Sequence, residues 1–155
     1  MKNDNKNSDI ITIGVVNFNS KYGDKENNAG RIIDYTAAAV NKGADLVLFP
    51  EMCLTGYDVY TDEKVSVKEK RELAEAADGE YVKSIVRAAQ GLDSYIIFGM
   101  PEIAGDALYN TAVITGGEGF LGAYRKIHPY DKENMWCQKG DTPFYFLSKW
   151  GPIAI

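Results

Sequence analysis

The sequence predicts a single α/β domain built on a mixed sheet. Up to about residue 99, short β-branched apolar runs alternate with segments of helical periodicity, the order of parallel strands joined by crossover helices. Beyond residue 107 two strand-like runs flank Gly116-Gly117-Glu118, the order of an antiparallel hairpin with a glycine-bearing turn. The chain has 155 residues, 45% of them hydrophobic and 25% charged, which is ordinary globular composition and enough to bury a core.

Residues Ile10 to Phe18 form a nearly continuous apolar run, read as a central strand covered on both faces. Asn19 to Asn28 is turn-rich. Ala29, Ile32, Ile33, Thr36 and Val40 then recur at helical spacing until Gly43, which is placed to end a helix. Asp45 to Phe49 is a second strand, stopped by Pro50, which has no N–H to continue a ladder. Leu54 to Glu63 reads as a loop, and Val67 to Ala77 as a charged, Ala-rich helix interrupted at Asp78-Gly79. A further helix places Tyr81, Val82, Ile85, Val86 and Ala89 on one face, and Tyr95 to Gly99 is strand again. Leu108 to Thr115 and Gly119 to Arg125 make the hairpin. A polar, aromatic segment runs from Lys126 to Thr142, and Phe144 to Leu147 and Pro152 to Ile155 are two last strand-like pieces.

Charge and cysteine content exclude several classes of function. With 17 Lys+Arg against 22 Asp+Glu, the net charge is -5, and no basic cluster exceeds Lys68-Glu69-Lys70-Arg71, so neither nucleic acid nor a membrane surface is expected as partner. Cys53 and Cys137 are too few for a disulfide framework and lack zinc-ligand spacing, so no metal site is expected. Met1 to Asp9 is polar and read as a disordered tail, and no apolar run approaches the ~20 residues of a membrane span. A cytoplasmic protein is the expectation.

Ligands of open α/β sheets bind beyond the carboxyl ends of strands, so polar residues directly after apolar runs are the first candidates for chemistry. Glu51 follows the strand ending at Phe49-Pro50, and Lys126 follows the one ending at Arg125. On neighbouring strand ends they would give a base and a cationic stabiliser in one pocket; taken singly, each reads first as a solvated loop residue.

The flanks sharpen this pair. Leu48-Phe49-Pro50-Glu51-Met52-Cys53-Leu54-Thr55-Gly56-Tyr57, followed at long range by Tyr124-Arg125-Lys126-Ile127-His128, resembles the two N-terminal signatures of the carbon-nitrogen hydrolase (nitrilase) superfamily. Phe98-Gly99-Met100-Pro101-Glu102, Leu108-Tyr109-Asn110-Thr111-Ala112, and Glu133 leading to Gly140-Asp141 resemble its connecting segments, in the right order. The resemblance spans residues 10–155 and implies the N-terminal portion of a four-layer αββα sandwich, the C-terminal half being absent. It also implies a Glu-Lys-Cys set acting on non-peptide carbon-nitrogen bonds in amides, nitriles or carbamoyl compounds. Glu51 would be the general base, taking a thiol proton and later activating water. Lys126 would face the developing oxyanion. Glu133 matches a second glutamate that orients the lysine or the substrate, although with Asp131 and Lys132 beside it a solvated charge cluster is an equal reading.

In the family the nucleophilic cysteine follows a strand whose opening Gly151-Pro152-Ile153-Ala154-Ile155 resembles. Cys53 and Cys137 read instead as small apolar residues, and His128 as a structural or surface residue. Tyr57, Tyr109 and Asn110 are read as packing or turn-bonding residues in preference to substrate contacts, and Trp136 and Phe144 to Phe146 as core or interface. The chain is therefore expected to be a fragment, inactive alone, whose intact form needs no metal or organic cofactor and assembles as a homo-oligomer. Amides are the favoured substrates, as the commoner class in the superfamily. The alternative is a short homologue that keeps the pocket as a binding or assembly module without catalysis; an unrelated flavodoxin-like domain leaves Glu51 and Lys126 unexplained.

Overall fold

Parallel and antiparallel pairing meet in one five-stranded sheet. The computed structural model describes residues 10–155, so the tail expected over residues 1–9 lies outside the described residues. Strands β1 (Ile13–Val15), β2 (Leu46–Leu48) and β3 (Tyr95–Ala104) pair in parallel, and β3, β4 (Ala107–Gly116) and β5 (Gly119–Arg125) continue as an antiparallel meander. The order is β1-β2-β3-β4-β5. The change of direction follows from the connections: helical crossovers return a strand parallel, whereas tight turns after Ala104 and Gly116 return it antiparallel.

Helix α1 (Lys25–Asn41) begins four residues before the first apolar position at Ala29, because the Asp24 carboxylate caps it by accepting from the Asn27 N–H at 3.1 Å. It ends where expected, Gly43 taking φ 88°. Helices α2 (Asp58–Thr61) and α3 (Val67–Leu73) follow, then α4 (Glu80–Ala89), which turns Val82, Ile85 and Ala89 towards the sheet. Side chains alternate along β3. Ile96, Phe98 and Met100 pack with Ile32, Val82 and Ile85 of the helices. Ile97 packs on the other face with Leu46, Ile114 and Phe146. Phe146 belongs to a second sheet of β6 (Tyr145–Ser148) and β7 (Gly151–Ala154). Helices, five-stranded sheet and second sheet are three successive layers of an αββα sandwich.

Several boundaries differ from the sequence reading. β1 is an edge strand among the described residues, with Ile13 and Val15 exposed; β-branched composition specifies extended backbone but not how many neighbours it has. β3 and β4 each run ten residues, because their ladder continues to the turn at Gly105. α3 stops at Leu73, since Glu75 leaves the helix to donate to the Pro101 carbonyl and accept from the Ile103 N–H, both at 3.0 Å. It thereby covers the part of β3 that the short β2 does not reach. α2 lies inside the expected loop, and a 3₁₀ turn at Asp131–Met135 lies inside the polar segment. Trp136 is core, as read, while the Phe144–Phe146 run is split: Phe146 is buried and Tyr145 exposed. No helix among the described residues is long and apolar enough to cross a membrane.

Candidate active site

After Pro50 the chain turns back across the sheet. Met52 takes φ 57°, and its carbonyl accepts from the N–H groups of Thr55 and Gly56 at 3.2 and 2.8 Å. This turn rests on β3 at Gly99, where a Cβ would stand 2.7 Å from both the Glu51 Cα and the Met52 nitrogen. Only glycine permits that approach. Lys126 is fixed through its backbone, its N–H donating to the Asn110 carbonyl at 2.8 Å and its own carbonyl accepting from the Gly140 N–H at 2.9 Å. Glu133 sits in the 3₁₀ turn, where its Oε2 accepts from the Tyr130 N–H at 2.6 Å.

Glu51 and Lys126 meet although they are not on neighbouring strands, as the sequence reading had placed them. β3 and β4 lie between β2 and β5, a separation of about 14 Å at the usual strand spacing. The turn over Gly99 and the long lysine side chain close that gap. Lys126 Nζ lies 2.9 Å from Glu51 Oε1, 3.0 Å from Glu133 Oε1 and 2.8 Å from Glu133 Oε2. Between the two carboxylates lies the Asn110 side chain, its Nδ2 donating to Glu51 Oε1 at 2.6 Å and to Glu133 Oε1 at 2.7 Å. The sequence reading gave Asn110 a packing or turn role; the signal that could have found it is its place in a resembling segment, on a strand lying between those of Glu51 and Lys126.

Burial sorts these groups. The Glu133 side chain is 5% exposed against 40% for Glu51, while Lys132 pairs outward with Glu63, so Glu133 is a buried partner of Lys126 and not part of a solvated cluster. Burial alone would raise the Glu133 carboxyl, but hydrogen bonds from Lys126, the Tyr130 N–H and Asn110 outweigh it and hold the group below its ordinary value. Burial likewise opposes the charge on Lys126, and hydrogen bonds to Glu133 and Glu51 outweigh it, raising the ammonium above its ordinary value. Tyr57, half-exposed, is raised by burial and then by the charges of Glu51 and Glu133.

Both cysteines are poor nucleophiles here. Burial pushes the Cys53 thiol up to about 12, with its Sγ donating to the Gly99 carbonyl, and the Cys137 thiol up to about 11. His128 is exposed. Tyr109 packs under the Arg125 guanidinium, 4.1 Å from its ring centre. Among the described residues no group of three or more His, Cys, Asp and Glu is arranged to hold a metal ion. A cavity of about 350 Å³ opens on the site, lined by Glu51, Asn110, Lys126, Gly99, Tyr124 and Ile155. Chemically, the site offers a carboxylate with one oxygen uncommitted among the described residues, and an ammonium anchored by a second carboxylate, at the wall of a small cavity.

Comparison with known proteins identifies the family. Residues 12–151 match the model of the carbon-nitrogen hydrolase family. A nitrilase of Pyrococcus abyssi is 33% identical over 136 residues, covering 87% of this chain and 50% of that protein. A Saccharomyces cerevisiae member of branch 10 of the nitrilase superfamily superposes with a TM-score of 0.74 at 20% identity, over 92% of this chain and 53% of that one. An acrylamide-treated mutant of the Nesterenkonia sp. amidase, in which acrylamide has added to the active site cysteine, superposes with a TM-score of 0.70 at 20% identity, over 94% and 56%. The chain spans about half the length of these proteins. With its family model matched along nearly the whole chain and its layers those of the nitrilase fold, the protein belongs to the carbon-nitrogen hydrolase family.

Proposed function

We propose that the whole protein hydrolyses a non-peptide carbon-nitrogen bond in a small amide, nitrile or carbamoyl compound, with amides favoured, and that Glu51, Lys126 and Glu133 do this work. The observation that carries the reading is Lys126 Nζ held 2.9 Å from Glu51 Oε1 at the wall of the cavity. Family membership supports the reaction class.

For an amide the steps are as follows. A cysteine thiol reaches the cavity from chain continuing past Ile155, whose N–H donates to the Phe144 carbonyl at 3.0 Å at the cavity's edge. Glu51 takes the thiol proton as sulfur bonds to the carbonyl carbon, and Lys126 stabilises the oxyanion of the tetrahedral intermediate. The carbon-nitrogen bond then breaks as Glu51 returns the proton to the leaving nitrogen. Water deprotonated by Glu51 attacks the thioester, releasing the acid and restoring the thiol. Glu133 keeps Lys126 charged and in place. The 155 residues alone are expected to turn over negligibly, a loss of ~10⁴ or more, since their own two thiols are raised and buried or half-buried. The intact protein is read as a cytoplasmic homo-oligomer whose partners are small molecules.

Ammonia release from a panel of amides, nitriles and carbamoyl compounds tests this, using the 155-residue chain and the gene product read through the codons after Ile155. Activity in the longer product alone, lost on Glu51→Gln and Lys126→Met, is the expected result. A longer product that hydrolyses none of the panel would overturn the enzymatic reading in favour of the binding module, and a 155-residue chain within tenfold of the longer product would overturn its inactivity.

A further inference from the structure

We propose that Asn110 is the positioning residue that selects the proton-accepting oxygen of Glu51, by holding Oε1 and leaving Oε2 for the thiol and the water. The inference rests on the reading of Glu51 as general base.

Four polar atoms form a closed ring in which donors and acceptors alternate: Lys126 Nζ, Glu51 Oε1, Asn110 Nδ2 and Glu133 Oε1, with contacts of 2.9, 2.6, 2.7 and 3.0 Å. Carboxylate oxygens on both sides of the Asn110 amide require its NH₂ group there, which fixes the orientation of the amide chemically. Asn110 is 4% exposed, and its own carbonyl holds the Lys126 N–H, so one residue anchors both the backbone of the cation and the side chains of the two anions. Oε1 of Glu51 thus receives two donors, while Oε2 receives none from the described residues and keeps its lone pairs.

Charge explains why the residue is an amide. Two carboxylates share one ammonium, so a further acceptor in the ring would add repulsion, and an apolar side chain would leave an acceptor direction empty on each, the one on Glu133 buried. Asparagine supplies two N–H bonds with no charge. Tyr57 and Cys137 also lie close enough to feel the charges of Glu51, Glu133 and Lys126, and neither donates to Glu51.

Carboxyl ¹³C NMR titration of the 155-residue chain, wild type against Asn110→Ala and Asn110→Asp, tests the hold on both carboxylates. The midpoint of Glu133 is expected to rise by about one pH unit in Asn110→Ala and further in Asn110→Asp, and the Glu51 carboxyl carbon at pH 7 is expected to change its chemical shift as Oε1 loses a donor. Amide spectra report whether each variant folds, and Asn110→Ser, which keeps one donor, should fall between wild type and Asn110→Ala. In the longer gene product Asn110→Ala should lower kcat with little change in KM and move the acid limb of the pH profile to higher pH. An unmoved Glu133 midpoint together with an unmoved Glu51 carboxyl shift in a folded Asn110→Ala chain would overturn the inference. A Glu51→Gln product that still hydrolyses would instead remove Glu51 as base, and with it the role of Oε2, leaving the titration result unchanged.

Discussion

Arg125 and Glu102 form a two-pronged ion pair, Nε to Oε2 at 2.9 Å and Nη2 to Oε1 at 2.6 Å, with the Glu102 side chain 3% exposed and also accepting from the Thr111 hydroxyl at 2.8 Å. Arg125 directly precedes Lys126, so the pair ties the end of β5 to β3. Arg125→Ala would strand a buried carboxylate and is expected to lower stability by about 3 kcal/mol. Arg125→Lys, a point charge without the fork, should recover part of that. Urea denaturation of both variants measures it; equal stability in all three proteins would mean that Glu102 is reached by water.

Gly99→Ala is expected to cost about 1–3 kcal/mol, because its methyl would meet backbone and not the end of a flexible side chain. The turn carrying Glu51 must lift, lengthening the contact to Lys126. Thermal unfolding reads the first effect and the carboxyl chemical shift of Glu51 the second. An alanine variant with wild-type stability and shift would show the turn to be free of β3.

Stability should have a plateau bounded on both sides by the ionic site. Glu133 is held below its ordinary value of 4.5, so its contribution is complete above that pH and is lost as pH falls through the lowered value. Lys126 is held above its ordinary 10.5, so its contribution is complete below that pH and fades as pH rises through the raised value. In Lys126→Met the carboxylate loses its cation, and the acid-side fall should move to higher pH. Denaturation midpoints between pH 3 and pH 7 check this, and an unmoved fall would assign the acid limb to other carboxylates.

The thiols should label slowly. With Cys53 pushed up to about 12 and Cys137 to about 11, iodoacetamide at pH 8 finds little thiolate at either. Mass spectrometry should show Cys53 modified only on unfolding and the half-buried Cys137 more slowly than a free thiol. Rapid alkylation of Cys137 would make it a reactive group.

The parallel and antiparallel parts of the sheet were legible because periodicity and turn chemistry are local: Gly116-Gly117-Glu118 announces a hairpin, and Gly43 ends a helix where its left-handed backbone is needed. Glu51 and Lys126 were legible as polar residues after apolar runs. What periodicity could not supply is lateral order. Nothing in Ile10 to Phe18 distinguishes an edge strand from a central one, and nothing near Glu51 states that β3 and β4 lie between it and Lys126. Asn110 was missed for the same reason, since its two acceptors come from 59 residues before it and 23 after it. The reading of Glu133 was open until burial decided it, because a charge between charges looks solvated in one dimension.

These separations also order events in folding. Lys126 and Glu133 are 7 residues apart and Asn110 is 23 from Glu133, all within the meander and the turn that follows it, whereas Glu51 and Lys126 are 75 apart. Closing a longer loop costs more entropy, and long-range parallel pairing is slow. The lysine, its buried glutamate and the asparagine are therefore expected to assemble first as a local unit, joined later by the Glu51 carboxylate from the parallel half of the sheet. On partial opening Glu51 is expected to be the first of these groups to leave, with Lys126 still paired to Glu133.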